Sequence, residues 1–178
     1  MKKLKNITHY ICEKCSDPNK LGTTKLNKIL WLIDCISYEK TGKSVTKATY
    51  IKRQYGPVPK EILEVKNELQ KEGKIAIRKD FVCGRIVQEK LISLKEPDIN
   101  GFTSKEISLS DSIIADICFN HTAKSISELT HDEIWEAAEI GEQLPLFVVF
   151  ARNNGEINEN DISWAKEKLK SLYNITIN

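Results

Sequence analysis

The sequence is poor in the side chains that do chemistry. It holds only three histidines, His9, His121 and His131. No H-E-x-x-H and no G-x-S-x-G occurs, so the common zinc-hydrolase and serine-hydrolase signatures are missing. No apolar run is long enough to span a bilayer, which argues against an integral membrane protein. The start, Met1-Lys2-Lys3-Leu4-Lys5-Asn6, is basic but leads into no apolar stretch, so no secretion signal is read there. The expected compartment is then the cytoplasm, where thiols stay reduced. Five cysteines, an odd count, also speak against a disulfide framework.

The chemistry that could be imagined is weak. Cys12-Glu13-Lys14-Cys15 is a lone C-x-x-C with His9 one helical turn earlier, whereas a structural zinc wants two such pairs. Cys35, Cys83 and Cys118 are isolated, so ordinary semi-buried thiols are expected. Gly42-Lys43-Ser44 resembles the end of a phosphate loop, but Ser37 stands where that pattern needs its first glycine. Asp116, His121, His131, Asp132 and Glu133 could form a hydrolytic or metal site only if they converged. Their spacing matches nothing specific, and histidines at helix ends are the plainer reading. No catalytic residue, metal ligand or cofactor site is therefore assigned, and the protein is expected not to be an enzyme.

What is present is an ordinary globular mixture: 178 residues, 40% of them apolar and 29% charged. That length suits one domain with one sizeable core, and no repeat or clear linker interrupts it, so residues 1–178 are read as a single domain. The net charge of +2 hides an asymmetry. Residues 1–60 hold 13 Lys and Arg against 4 Asp and Glu, whereas residues 91–178 hold 7 against 15. Such a split either marks charged partners or lets two faces of one fold attract each other. The second is the plainer expectation.

The hydrophobic period predicts mainly helix. A loose helical face runs over residues 4–15. The strongest segment is about 24–41, where Leu26, Ile29, Leu30, Ile33 and Ile36 form one face and Trp31, Leu32 and Cys35 extend it nearly all round. Such a helix is central and buried. Thr23 or Thr24 is its expected cap and Gly42 its stop. Asn27 and Asp34 lie seven apart on the remaining stripe, as a functional pair or, on the plainer reading, as one solvent-reaching or hydrogen-bonded edge. Residues 46–54 read as a short strand or helix. Tyr55-Gly56-Pro57-Val58-Pro59 forces a turn, with Pro59 opening a helix over about 59–72 that stops at Gly73. The period then changes to two, and a hairpin of Ile75–Val82 and Arg85–Leu94 turns at Cys83-Gly84. Further on, Ser110 is the expected cap of a helix through Ile117, another turn starts at Ser125–Leu129, and a short helix spans Asp132–Ile140 around Trp135. Leu146–Phe150 is either strand or helix, and a last helix starts near Asn160. The fold class is thus α+β: a compact helical bundle with a small β-hairpin.

The order helix, helix, short segment, helix, hairpin over residues 4–94 is that of a winged helix. DNA binding is the alternative function it suggests. The helix at 59–72 would read the groove, yet Glu61, Glu64, Glu68 and Glu72 face only Lys60, Lys66 and Lys71, which suits phosphate poorly. Arg78, Lys79, Arg85 and Lys90 on the hairpin suit it better.

Two groups of motifs stand out. One is Lys25-Leu26-Asn27-Lys28-Ile29-Leu30-Trp31-Leu32-Ile33, then Thr41-Gly42-Lys43 and Tyr50-Ile51-Lys52-Arg53-Gln54-Tyr55-Gly56-Pro57-Val58. The other is Ser127-Glu128-Leu129-Thr130-His131-Asp132-Glu133-Ile134-Trp135, then Asp161-Ile162-Ser163-Trp164-Ala165. From about Leu21 to the C-terminus the chain resembles the SocA-like, Panacea-domain family of bacterial and phage-associated proteins. The resemblance implies a helical fold with a small β element and a non-enzymatic interaction module. It implies as partner a toxin encoded nearby, which the protein neutralises, and for an adaptor-like member a protease that receives that toxin. It brings no cofactor. Tyr55, Gly56 and Pro57 are the family's turn, and with Trp135 they are the candidate partner-binding residues. The turn's plainer role is structural, with Gly and Pro setting the reversal and Tyr55 packing on the helix at 24–41.

Overall fold

The computed structural model describes residues 2–82, 86–131 and 133–152. At its centre lies α2, Thr23–Thr41, the helix whose apolar residues run nearly all round. It separates two hydrophobic clusters. One gathers Leu26, Ile29, Leu30 and Ile33 with Leu4, Ile7 and Ile11 of α1 (Lys2–Lys14), Val65 and Leu69 of α3 (Ile62–Lys71), and Ile114 and Ile117 of α4 (Ser104–Asn120). The other sets Trp31 and Cys35 against Tyr50, Leu144 and Val149. Gly42 ends α2 at φ 68°, its N–H donating to the Tyr38 carbonyl at 2.8 Å, the left-handed stop expected of that glycine.

The β structure forms two small antiparallel sheets. The expected hairpin is there as β3 (Ile75–Val82) paired with β4 (Ile86–Ser93), from Ile75 opposite Ser93 to Val82 opposite Ile86. Its tip lies outside the described residues. The second sheet has the order β2-β1-β5: Tyr50–Arg53 is β1, Gly56–Pro59 is β2, and Gln143–Leu144 is β5. The winged-helix order expected over residues 4–94 is not confirmed: two strands, β1 and β2, stand between α2 and α3, and β1 pairs with β2 and β5 rather than with the β3–β4 hairpin.

Several local expectations are corrected. Thr23 does not cap α2. Its N-cap is Gly22, and the Thr23 hydroxyl donates to Glu89 at 2.8 Å. Pro59 does not open α3; it closes β2 opposite Tyr50, and Pro57 stands opposite Lys52. Both fit because β2 is an edge strand, whose outward N–H groups are not needed. Ser110 lies inside α4, bonded to the Glu106 carbonyl at 2.7 Å, while Thr103 is the cap and forms a capping box with Glu106. Thr122 caps α5, Ala123–Leu129, in the same way with Ser125. The short helix around Trp135, α6, spans Glu133–Ala137. The undecided run Leu146–Phe150 is helical: a 3-10 turn over Leu146–Val148 leads into α7, Val149–Arg152. The helix expected from Asn160 lies outside the described residues.

Lys3 and Glu106 join the basic first part of the chain to its acidic last part; other ion pairs tie the first helix to α3 and α3 to the hairpin. Lys3 meets Glu106 at 3.0 Å, and Lys5 meets Glu68 at 3.1 Å and Glu72 at 2.8 Å. Lys66, almost fully buried, meets Glu89 at 2.6 Å. Among the described residues no helix is long and apolar enough to cross a membrane.

Candidate partner-binding site

The tight turn between β1 and β2 leaves Gly56 at φ +113°, a conformation side chains with a β-carbon rarely adopt. Beneath it lies Lys28 of α2, only 1% exposed. A β-carbon on Gly56 would overlap the Lys28 ammonium and lie 2.9 Å from its Cε. The glycine is thus required twice, by its backbone angle and by the lysine under it. Lys28 Nζ donates to Thr130 Oγ1 at 2.5 Å. Thr130 Oγ1 in turn faces the carbonyls of Ile126 and Ser127 at 3.0 and 3.1 Å. Ser127 Oγ donates to the Tyr55 carbonyl at 3.3 Å, so the end of α5 is sewn to the turn from both sides.

His131 completes the floor. Its Nε2 lies 3.5 Å from the β-carbon position of Gly56, and its ring stacks on Trp135 with centroids 3.7 Å apart and planes within 2°. Burial, followed by the charge of Lys28, holds the His131 pKa below its ordinary value. Lys52 Nζ sits 4.1 Å from the Trp135 ring centroid, at a distance where an aromatic face attracts a cation. The same ammonium donates to the carbonyls of Glu136 at 3.2 Å and Ala138 at 2.9 Å, at the C-terminal end of α6, where a cation is favoured. Parts of the first group of motifs and of the Ser127–Trp135 stretch, distant in sequence, therefore meet in one place, while Asp161–Ala165 lies outside the described residues.

Of the four candidate residues, Tyr55 is 62% exposed. Such exposure differs from the packed position that its plainer role expected. Gly56 and Pro57 are buried and Trp135 is half-buried. Lys28, Lys52, Ser127 and Thr130 belong to the site without having been singled out. The available signal was a pair of lysines, Lys25 and Lys28, within the most apolar helix of the chain.

Asp34 is the second polar hub and the edge residue that was expected. It is fully buried and accepts from the N–H groups of Val45 and Thr46, each at 2.8 Å, from the Thr46 hydroxyl, and from the Tyr50 hydroxyl at 2.8 Å. Burial pushes its carboxyl up, against the pull of those donors. The result fastens β1 to α2 and so holds the turn above Lys28.

Among the described residues the other imagined chemistry does not gather into one site. His121 lies at the end of α4, 3.6 Å from Asp116 and 3.4 Å from Ser125, whereas His131 faces Gly56 and Trp135. Asp132 lies outside the described residues. Among the described residues no three His, Cys, Asp or Glu side chains come together as a metal site. Cys12, Cys15, Cys35 and Cys118 are buried and form no disulfide with one another, and they are more buried than expected. Burial pushes the Cys12 pKa up to about 12, so it stays a thiol. The outward side of α3 mixes Lys60, Glu64, Asn67 and Lys71 with an exposed Leu63. On the hairpin, Arg78 and Lys90 both bond Asp80.

The family model described as Antitoxin SocA-like, Panacea domain matches residues 26–136, more than half of the chain. No curated protein and no solved structure matches it.

Proposed function

The chain belongs to the SocA-like, Panacea-domain antitoxin family, and from that premise we propose that it binds and neutralises a partner toxin by surface complementarity, without covalent chemistry of its own. The observation that carries this reading is the exposure of Tyr55 at the tip of the family's turn. Large aromatic side chains are costly to leave in water unless something covers them. Here the turn is braced from below by Lys28, Ser127 and His131, which leaves Tyr55 as a pre-organised anchor. Aromatic anchors of that kind carry most of the energy in many interfaces. Gly56 and Pro57 set the angle of the anchor, and Trp135 supports the floor under it.

The partner is a protein toxin, most simply one encoded beside this chain, and the complex forms in the cytoplasm. Delivery of the toxin to a protease is a further step that some such modules take. Residues 1–178 act as one unit in this reading. The DNA-binding alternative gains nothing from the outward side of α3, where Glu64 lies among the lysines a phosphate would need.

The test is co-expression of the chain with the product of the neighbouring reading frame. Wild type should co-purify with it and rescue growth. Tyr55→Ala should fold normally and lose the rescue. Failure of the wild type to bind or rescue would refute the assignment.

A further inference from the structure

We propose that Cys15 and Cys118 form a reversible dithiol–disulfide pair, which fastens the end of α1 to the end of α4 when a peroxide oxidises it. In the sequence Cys15 belongs to a C-x-x-C with Cys12, and Cys118 is isolated. The fold pairs them differently. Cys15 directly follows α1, its N–H still donating to the Ile11 carbonyl at 3.0 Å. Cys118 lies in the last turn of α4. The two thiols hydrogen-bond each other within the main apolar cluster, each residue only 3% exposed. Sulfurs already in contact have only to close to the about 2.0 Å of a disulfide bond. Lys25, itself buried, donates to the Cys118 carbonyl at 3.5 Å. The Lys20 ammonium lies 4.3 Å from the ring centroid of Phe119, the next residue. A helix C-terminus disfavours an anion, and these two cations offset that.

The environment divides the roles. The hydrogen bond from Cys15, with the charges of Lys25 and Lys20, draws the Cys118 thiol below its ordinary pKa. The same hydrogen bond and burial push Cys15 up. Cys118 is therefore the attacking thiolate and Cys15 the resolving thiol. The Cys118 sulfur attacks one oxygen of hydrogen peroxide. The O–O bond breaks, an S–O bond forms, and the hydroxide that leaves takes up a proton as water. The Cys15 sulfur then attacks the Cys118 sulfur. The S–S bond forms, the S–O bond breaks, and the oxygen departs with the Cys15 proton as a second water. The two sulfurs lose two electrons and the peroxide gains them. A thiol reductant reverses the bond by exchange. Entry is through the turn after Cys15, where Ser16 is exposed and the Asp17 carbonyl, 3.8 Å from Cys15 Sγ, is a second acceptor for its proton. Helix ends open more readily than helix centres. The bond changes this chain only and acts on no partner.

The experiment treats the reduced full-length chain with hydrogen peroxide, blocks the remaining thiols in denaturant and maps the peptides by mass spectrometry. Cys12→Ala, Cys15→Ala and Cys118→Ala are run beside the wild type. The expected result is a peptide pair joined through Cys15 and Cys118 in the wild type and in Cys12→Ala, absent from the other two and released by dithiothreitol. The oxidised wild type should melt roughly 5–15 °C above the reduced one, because the bond closes a long loop in the unfolded chain. Neither oxidised Cys15→Ala nor oxidised Cys118→Ala should show this rise. The joined peptides and the melting shift are read on the wild type, so they decide even where an alanine variant fails to fold. Recovery of Cys15 and Cys118 as thiols overturns the proposal. So does a Cys12–Cys15 bond, or Cys118 recovered as a sulfinic acid in place of the disulfide. A joined peptide with no rise in melting temperature overturns the fastening of the two helices.

Discussion

Gly56 packs so closely over Lys28 that the backbone of one and the ammonium of the other share the space a β-carbon would need. The strand turn and the central helix are therefore locked by two residues 28 positions apart in sequence, one with no side chain and one with a long one.

Gly56→Ala should accordingly be among the most disruptive small substitutions in the chain. It combines an unfavourable positive φ with a clash, and a loss of about 2–4 kcal/mol is expected. Gly42→Ala is the control. Its φ is also positive, at 68°, but nothing lies within 4 Å of the added carbon, so about 1 kcal/mol is expected. Urea denaturation of both variants measures the difference.

Asp34→Ala removes the acceptor of two backbone N–H groups and two hydroxyls in a fully buried place. Leaving such donors unpaired should cost about 3 kcal/mol or more. Asp34→Asn keeps one acceptor oxygen and should cost less. Because Asp34 fastens β1, and with it the turn that carries Tyr55, to α2, both variants should also bind partner more weakly, Asp34→Asn the less so; thermal melting and a binding assay measure the two effects.

Titration of Glu72 should show in acid stability. Its hydrogen bonds to Lys5 and Lys74 lower its pKa from 4.5 to about 2. A carboxylate with a depressed folded pKa stabilises the native state above the unfolded value, and that contribution disappears as pH falls from about 4.5 to about 2. Thermal melting across this window should be steeper for the wild type than for Glu72→Gln. Added salt should shrink the difference, since the carboxylate faces solvent.

His131 should titrate below its ordinary value of 6.5, because burial and the nearby Lys28 charge disfavour the imidazolium. The unfolded chain then binds the proton more readily than the folded one. Stability is fully present above pH 6.5 and declines as pH falls through the folded pKa. His131→Phe, which retains a ring to stack on Trp135, should remove this part of the pH dependence. NMR titration of the imidazole checks the folded value directly, and a pKa at or above 6.5 would contradict the packing described.

The legibility of the fold in the sequence follows the range of the forces involved. The α2 helix was plain from its apolar period and Gly42, and the β3–β4 hairpin from the change of period at Gly73. The start of α4 was misplaced at Ser110 because that serine precedes a run of isoleucines, whereas the capping box at Thr103 and Glu106 precedes a less apolar turn. The second sheet was missed because β5 has only two residues and no pattern of its own. In the site, the Tyr55-Gly56-Pro57 turn was visible but the outward direction of Tyr55 was not.

The sequence by itself determined where the chain is helical, where it reverses and which family it resembles, because helix period, glycine stops and proline turns act between near neighbours. Only the tertiary structure decided what the turn rests on. Lys28 finds Thr130 across 102 positions and Lys52 finds the Ala138 carbonyl across 86. A buried ammonium must meet an acceptor, but no local pattern says which, since the partner is chosen by how the helices and the second sheet close around α2.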